Sequence, residues 1–413
     1  MVDFSLTPRQ KELREIALDF AIRKMIPSAE KADRIADPAA AFDWDIVREA
    51  SRLGLRTMTV PKEWGGEGAD VLTCAMVGEC LAYGDLGMGV AFDQTWKIMT
   101  MIAHLTTEEQ RKRWMPLVVN DPTCVLAAAA TEPMSGSDSI LPYNHPDGGV
   151  RMTAVKKGDR WVLNGTKRYI SNGGLAKVIY VMARTDLTKP PLESMSGFML
   201  TDKTPGYKCT EVWDKLGQRC VQNGTLEFTN CEIPEEDRIG KPGQALIELG
   251  QLLTRFGSNI QAGATVLGVA QRCYDISLQY ARERVQSGVP IFEHQIQKTR
   301  LARMTMLLDA ARNYLWYSAW GAGINPDVRV GSMSKVFAAE ASAKVALDAF
   351  ELWAATGYMK KNPIEKLLRD ALSFIHSDGT NDVLTLKAGN FLGTIERNDP
   401  RWSARVNEAA MGR

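Results

Sequence analysis

The spacing of the apolar residues changes twice along this chain, and that double change restricts the fold more than any single motif does. Leu13, Ile16, Ala17, Phe20 and Ala21 recur at helical spacing, the stripe of an amphipathic helix. Thr7-Pro8-Arg9-Gln10 ahead of them reads as a helix start: threonine caps, proline suits the first helical position and glutamine completes a capping box. Helical spacing returns over 43–54 and around 70–120, interrupted by the turn Trp64-Gly65-Gly66-Glu67-Gly68. After Ala130 the pattern turns to alternation. Val150, Met152 and Ala154 alternate with polar neighbours, and Trp161-Val162-Leu163 runs into Asn164-Gly165, a pair that predicts a type I′ hairpin turn. Val178–Ala183, Gly197–Leu200 and Thr225–Ile233 are further strand-like runs between turn residues, so a small antiparallel sheet or barrel is expected over about 130–240. Long helical stripes resume at Gly243 and cover 292–322, 334–357 and 362–375. Ala262, Gly263, Ala264, Gly268 and Ala270 predict a helix packed closely against its neighbours.

Composition narrows the function classes. With 413 residues the chain exceeds a single core. Its 50 basic and 49 acidic residues are evenly spread and give a net charge of +1, so neither a nucleic-acid arm nor a membrane-surface patch is indicated. Seven scattered cysteines without a CxxC pair, and four histidines without HExxH spacing, argue against a protein-built zinc site and suit a reducing, cytoplasmic setting. The N-terminal stretch lacks the apolar core of a signal peptide, and no 18-residue apolar run predicts a membrane span. Dinucleotide GxGxxG after a strand, GxxxxGK[ST] and GxSxG are all missing, which disfavours a Rossmann site, a P-loop and an α/β-hydrolase.

Several strings, in one order and spacing, are similar to those of the flavin-dependent acyl-CoA dehydrogenase family: VPKEWGGEGAD at 60–70, TEPMSGSD at 131–138, GDRWVLNGTKRYISNGG at 158–174, WDKLGQR at 213–219, TRFGSNIQAGATVLGVAQ at 254–271, YARERVQSGVPIFEHQ at 280–295, GYMKKNPIEKLLRDA at 357–371 and SDGTND at 377–382. The resemblance runs from residue 4 to about 394. It implies a mainly α fold with a β insert: an N-terminal helical domain at 1–128, a β-barrel-like middle domain at 129–240, a C-terminal four-helix bundle at 241–395 and a tail at 396–413. It further implies FAD, an acyl-CoA substrate, an electron-transfer flavoprotein or similar acceptor, and a homotetramer or dimer.

The implied reaction removes an α-proton and a β-hydride from a thioester, the hydride going to FAD N5. A carboxylate must then sit over a weakly acidic carbon in a desolvated pocket. Asp378, in Ser377-Asp378-Gly379-Thr380, occupies the position where many members carry glutamate; it follows Asp370 of Arg369-Asp370-Ala371 by eight residues. Asp382 is the second carboxylate of that stretch and matches a flavin-contacting position, and Thr380 lies beside it. Arg255 matches an arginine near base and substrate, and its presence excludes the variant with a base at that site. By resemblance Thr131 and Ser137 suit the flavin and pyrophosphate, with Ser137 also near substrate. Tyr169 stands for the usual tryptophan beside the ring, Ser171 for the threonine near N5, and Arg284 and Gln295 for residues reaching the FAD of a neighbouring subunit.

Departures from the family pattern are concentrated in three places. Ser287 replaces a phenylalanine that packs on the cofactor. Glu351-Leu352-Trp353-Ala354-Ala355 replaces a glutamine and a Gly-Gly pair, so Ala354 and Ala355 fall where backbone normally approaches phosphate. Leu141–Val150, rich in proline and glycine, is an insertion and a loop. An aspartate base, one methylene shorter than glutamate, predicts a reshaped pocket and an atypical acyl group: cyclic, branched or aromatic. Two alternatives stand beside this reading: a nitroalkane-oxidase-like enzyme using Asp378 on a carbon acid without CoA, and a degenerate homologue that binds without catalysis.

Overall fold

The computed structural model describes residues 5–141, 144–324 and 326–392. Six helices open the chain: α1 (Pro8–Phe20), α2 (Ile26–Ala32), α3 (Trp44–Arg52), α4 (Val71–Gly84), α5 (Leu86–Leu105) and α6 (Glu108–Asn120). The capping box at Thr7 is formed: Gln10 N–H donates to Thr7 Oγ1 at 3.2 Å and Thr7 N–H to Gln10 Oε1 at 2.9 Å. Leu13, Ala17 and Phe20 are the buried face. Helices α4 and α5 are buried on nearly every side, as helices at the centre of a domain must be.

The middle of the chain contributes β1 (Leu126–Ala129), β2 (Thr153–Lys157), β3 (Arg160–Ser171), β4 (Val178–Arg184), a short α7 (Pro191–Ser194), β5 (Met195–Thr201), β6 (Tyr207–Val212), β7 (Asn223–Pro234) and β8 (Arg238–Ile239). The strands form one sheet in the order β6-β7-β3-β2-β4-β5-β8, with β1 paired to β4. Two expectations are corrected here. The sheet is mixed, since β1 runs parallel to β4 from Leu126 opposite Val178, and β2 meets β4 in parallel at Thr153 and Arg184. Asn164-Gly165 is not a hairpin turn. It lies inside β3 as a bulge, with a register shift against β7 between Leu163 and Gly165, and the β2–β3 turn is made by Gly158 at φ +62°. Asn164 Oδ1 accepts from the Asn230 N–H at 2.8 Å, so the pair's conformational freedom serves to bend a long strand.

The last third is again helical: α8 (Ala245–Arg255), α9 (Ser258–Glu283), a hairpin of β9 (Val285–Gln286) and β10 (Val289–Pro290), α10 (Gln295–Ala322), α11 (Val328–Gly357), α12 (Pro363–Leu372) and α13 (Asn381–Asn390). The small residues of α9 are contacts, as expected. A Cβ on Gly268 would come within 2.1 Å of the Glu79 carbonyl oxygen on α4. Only a glycine lets these two backbones touch. Burial continues across the three parts of the chain: Lys366 on α12 pairs with Asp85 at 2.7 Å and Asp370 at 2.6 Å, all three buried, while Asp370 accepts from the Gln218 N–H at 2.6 Å. No helix among the described residues is long and apolar enough to cross a membrane. The 396–413 tail and residues 142 and 143 of the insertion lie outside the described residues.

Candidate active site

A cavity of about 1270 Å³ opens where the sheet meets α5, α8 and the segment between α12 and α13. On the sheet side, Thr131, Ser137, Tyr169 and Ser171 line it; from the helices come Arg255, Asp378 and Thr380. The chain thus brings together seven of the residues singled out in the sequence. Asp382, Arg284, Gln295, Ala354 and Ala355 do not reach this cavity and are exposed. Arg284 ends α9 one turn after Tyr280, whose ring stacks on Trp353 at 4.0 Å. Gln295 begins α10, and Arg300 of α10 pairs with Glu351 at 2.9 Å. Arg284, Gln295, Ala354 and Ala355 therefore gather at one end of the bundle. The charge that Glu351 introduces there is matched by Arg300.

Backbone conformation explains how the departures are accommodated. Tyr169, Ser287, Ala354 and Asp378 all have left-handed φ, at +61°, +55°, +49° and +54°, a region that residues with a Cβ adopt only at an energetic cost. Ala354 breaks α11 with φ 49° and ψ −138°. An alanine here keeps a glycine's backbone shape.

Asp378 is held from three directions. α12 ends in a 3₁₀ turn, Ser373–Ile375, and Thr380 caps α13 by accepting from the Val383 N–H at 3.3 Å. Between them, Lys335 of α11, fully buried, donates to the Phe374 carbonyl at 2.7 Å, the Gly379 carbonyl at 2.9 Å and Asn381 Oδ1 at 3.0 Å. Asn259 Nδ2 donates to the Asp378 carbonyl at 3.2 Å. The carboxylate itself receives Lys97 Nζ on Oδ2 at 2.7 Å. The same ammonium lies 2.6 Å from Asp93 Oδ2, one turn earlier on α5. Burial pushes the Asp93 carboxyl up to about 6, with the Asp378 charge adding to it and Lys97 opposing. Burial opposes the Lys97 charge, but the two carboxylates outweigh it and hold its pKa above the ordinary value. Sequence reasoning missed Asp93, Lys97 and Lys335. A signal existed, since Asp93 and Lys97 are isolated charges at i, i+4 spacing in the apolar run GMGVAFDQTWKIMTM.

The sheet side is equally fixed. Buried Lys167 pairs with Glu132 at 2.8 Å and donates to the Ala130 carbonyl at 2.9 Å, while Glu132 accepts the Arg151 N–H at 2.6 Å. This locks the backbone on both sides of Thr131. Tyr169 and Trp213 meet edge-on at 5.1 Å, with the Arg168 guanidinium over both rings. Ile140, just ahead of the insertion, lines the cavity, and buried Arg184 donates to the Pro146 and Val150 carbonyls within the insertion.

The acyl-CoA dehydrogenase N-terminal, middle and C-terminal domains match residues 7–121, 127–231 and 257–392. The chain belongs to the acyl-CoA dehydrogenase family. Among its relatives, an acyl-CoA dehydrogenase of Bacillus subtilis is 32% identical over 94% of this chain and 98% of its own length. The mitochondrial isobutyryl-CoA dehydrogenase of Dictyostelium discoideum is 33% identical over 92% and 88%. The solved butyryl-CoA dehydrogenase of Megasphaera elsdenii superimposes with a TM-score of 0.86 at 28% identity, covering 95% of this chain and all of that one. The chain is therefore an FAD-dependent oxidoreductase of the acyl-CoA dehydrogenase type. The dehydrogenase's cavity suits FAD chemically: an aromatic pair offers flat faces, Thr131, Ser137 and Ser171 offer hydroxyls, and Ser135 beside them has a buried Oγ without a hydrogen-bond partner among the described residues.

Proposed function

We propose that this dehydrogenase acts on the CoA thioester of a compact branched, cyclic or aromatic acid, with Asp378 as the base that removes the α-proton. The observation carrying this reading is that the Asp378 carboxylate, on a strained and doubly braced backbone, borders the cavity while Lys97 engages only Oδ2. A rigid loop offsets the shorter reach of aspartate, because proton transfer requires the acceptor within hydrogen-bonding distance of the carbon acid. The α-proton passes to the carboxylate as the α-carbon becomes enolate-like. Bound FAD supplies the acceptor for the β-hydride. On this chain Thr131, Ser137, Tyr169, Ser171 and Thr380, which line the cavity, would hold it, and Ser137 and Arg255 would contact the thioester. Arg284, Gln295, Ala354, Ala355 and Asp382 lie outside this cavity and fit a cofactor site completed by a second copy of the chain, in a dimer or tetramer. An electron-transfer flavoprotein in the cytoplasm is the proposed acceptor.

Support for the acyl class comes from the shorter base, from Ile140 on the cavity wall, and from the branched acyl group named for the Dictyostelium relative. Anaerobic bleaching of bound flavin across a panel of acyl-CoA esters tests it. A branched or cyclic ester should reduce the flavin fastest; reduction by nitroalkanes alone would replace this reading with the oxidase one. In Asp378→Asn, FAD should be retained and reduction lost. Undiminished reduction would remove Asp378 as the base.

A further inference from the structure

Lys97 and Asp93 are used by nothing in the family reading, yet Lys97 lines the cavity and Asp93 pairs with it from behind. Lys97 Nζ lies 2.7 Å from Asp378 and 2.6 Å from Asp93, and both α5 side chains are buried. The i, i+4 spacing on one rigid helix fixes the donor, while Asp378 comes from a loop 281 residues later. Asp93 Oδ1 is buried without a hydrogen-bond partner among the described residues. A lone lysine beside the base would hold it firmly and also make it a poor proton acceptor. A lysine already neutralised by a second carboxylate holds it without that full penalty.

We propose that Lys97 is a positioning residue that fixes the orientation of the Asp378 carboxylate through Oδ2, and that Asp93 is the counter-charge that keeps this carboxylate basic enough to accept the α-proton. The inference rests on Asp378 being the base. It deepens that assignment by saying what allows an aspartate to serve. The pair is neutral overall when Lys97 is charged and Asp93 ionised, so proton arrival at Asp378 leaves no net charge in the wall. Other ionisable groups around the triad are Cys74 of α4, whose thiol burial raises, and Lys335 of α11, which burial brings down to about 8. Arg255 and His376 also border the cavity, with burial and the Lys335 charge keeping His376 below its ordinary value. None of these contacts the Asp378 carboxylate among the described hydrogen bonds and ion pairs.

The test uses the FAD-loaded, full-length protein and an acyl-CoA analogue whose α-carbon is acidified, so that the base ionises it without turnover. The midpoint of the acid limb, where protonation of Asp378 shuts off ionisation, is read from the enolate absorbance, alongside FAD content and thermal midpoint. Lys97→Met should shift that pH upward by about 1–3 units, because an opposite charge at this distance lowers a carboxylate by that much. Asp93→Asn should shift it downward, since Lys97 then acts on Asp378 alone, and Lys97→Arg should restore most of the wild-type value. Opposite shifts with FAD retained support the pair's role, and Asp93→Asn supplies the answer should Lys97→Met not fold. Unchanged values in both variants, with ionisation abolished in Asp378→Asn, would overturn the proposal while leaving the base assigned. Ionisation that persists in Asp378→Asn would overturn both.

Discussion

Lys335→Met is expected to loosen the loop that carries the base without touching the cavity. The lysine is fully buried and donates three hydrogen bonds, to the Phe374 and Gly379 carbonyls and to Asn381 Oδ1. Methionine fills nearly the same space and donates none. Charge-assisted hydrogen bonds contribute about 1.5–3 kcal/mol each, and the buried ammonium offsets part of that by its desolvation, several kcal/mol. A net loss of about 2–4 kcal/mol follows. With Asp378 freed by about 1 Å, flavin reduction by substrate should be on the order of a hundredfold slower. The pH dependence carries a second signature. Burial lowers Lys335 from 10.5 to about 8, so the folded protein releases this proton at a lower pH than the unfolded chain does. Its contribution to stability therefore rises as pH climbs from about 8 towards 10.5, and below 8 it is constant. The stability gap between wild type and Lys335→Met should widen across that window. Urea unfolding at pH 7 and pH 9.5, with single-turnover flavin reduction, measures both effects. A variant within 0.5 kcal/mol of wild type, reducing flavin at the normal rate, would refute the bracing argument.

Three further outcomes follow from the geometry. Lys366→Met should destabilise the protein by about 3–5 kcal/mol by leaving Asp85 and Asp370 buried without their cation, and adding Asp370→Asn should recover part of the loss; calorimetry of both variants checks this. Ile140→Ala should raise kcat/KM for a bulkier acyl-CoA over a smaller one by roughly tenfold or more, because the Ile140 side chain lines the cavity and reaches towards Gly379; an unchanged preference would remove Ile140 from the acyl site. Ala354→Gly should raise the thermal midpoint, since the left-handed φ of +49° costs an alanine about 1 kcal/mol or more, and a lowered midpoint would show that no strain is stored there.

The order of helices, sheet and helices was readable from the sequence because spacing is a local property: an amphipathic stripe and an alternating strand each declare themselves within a dozen residues. The capping box at Thr7 and the close-packed face of α9 were readable for the same reason. Asn164-Gly165 misled because the same conformational freedom serves a hairpin or a bulge, and the pairing of β3 with β7, more than 50 residues apart, decides between them. The candidate base was found through its resemblance and its register from Asp370. Its surroundings were not, because Lys97 and Lys335 reach the Asp378 loop from α5 and α11 only once the chain has folded. Local sequence determined which segments become helix or strand and supplied the carboxylate. Tertiary structure decided which charges surround it, because contacts between residues distant in sequence depend on how the elements pack.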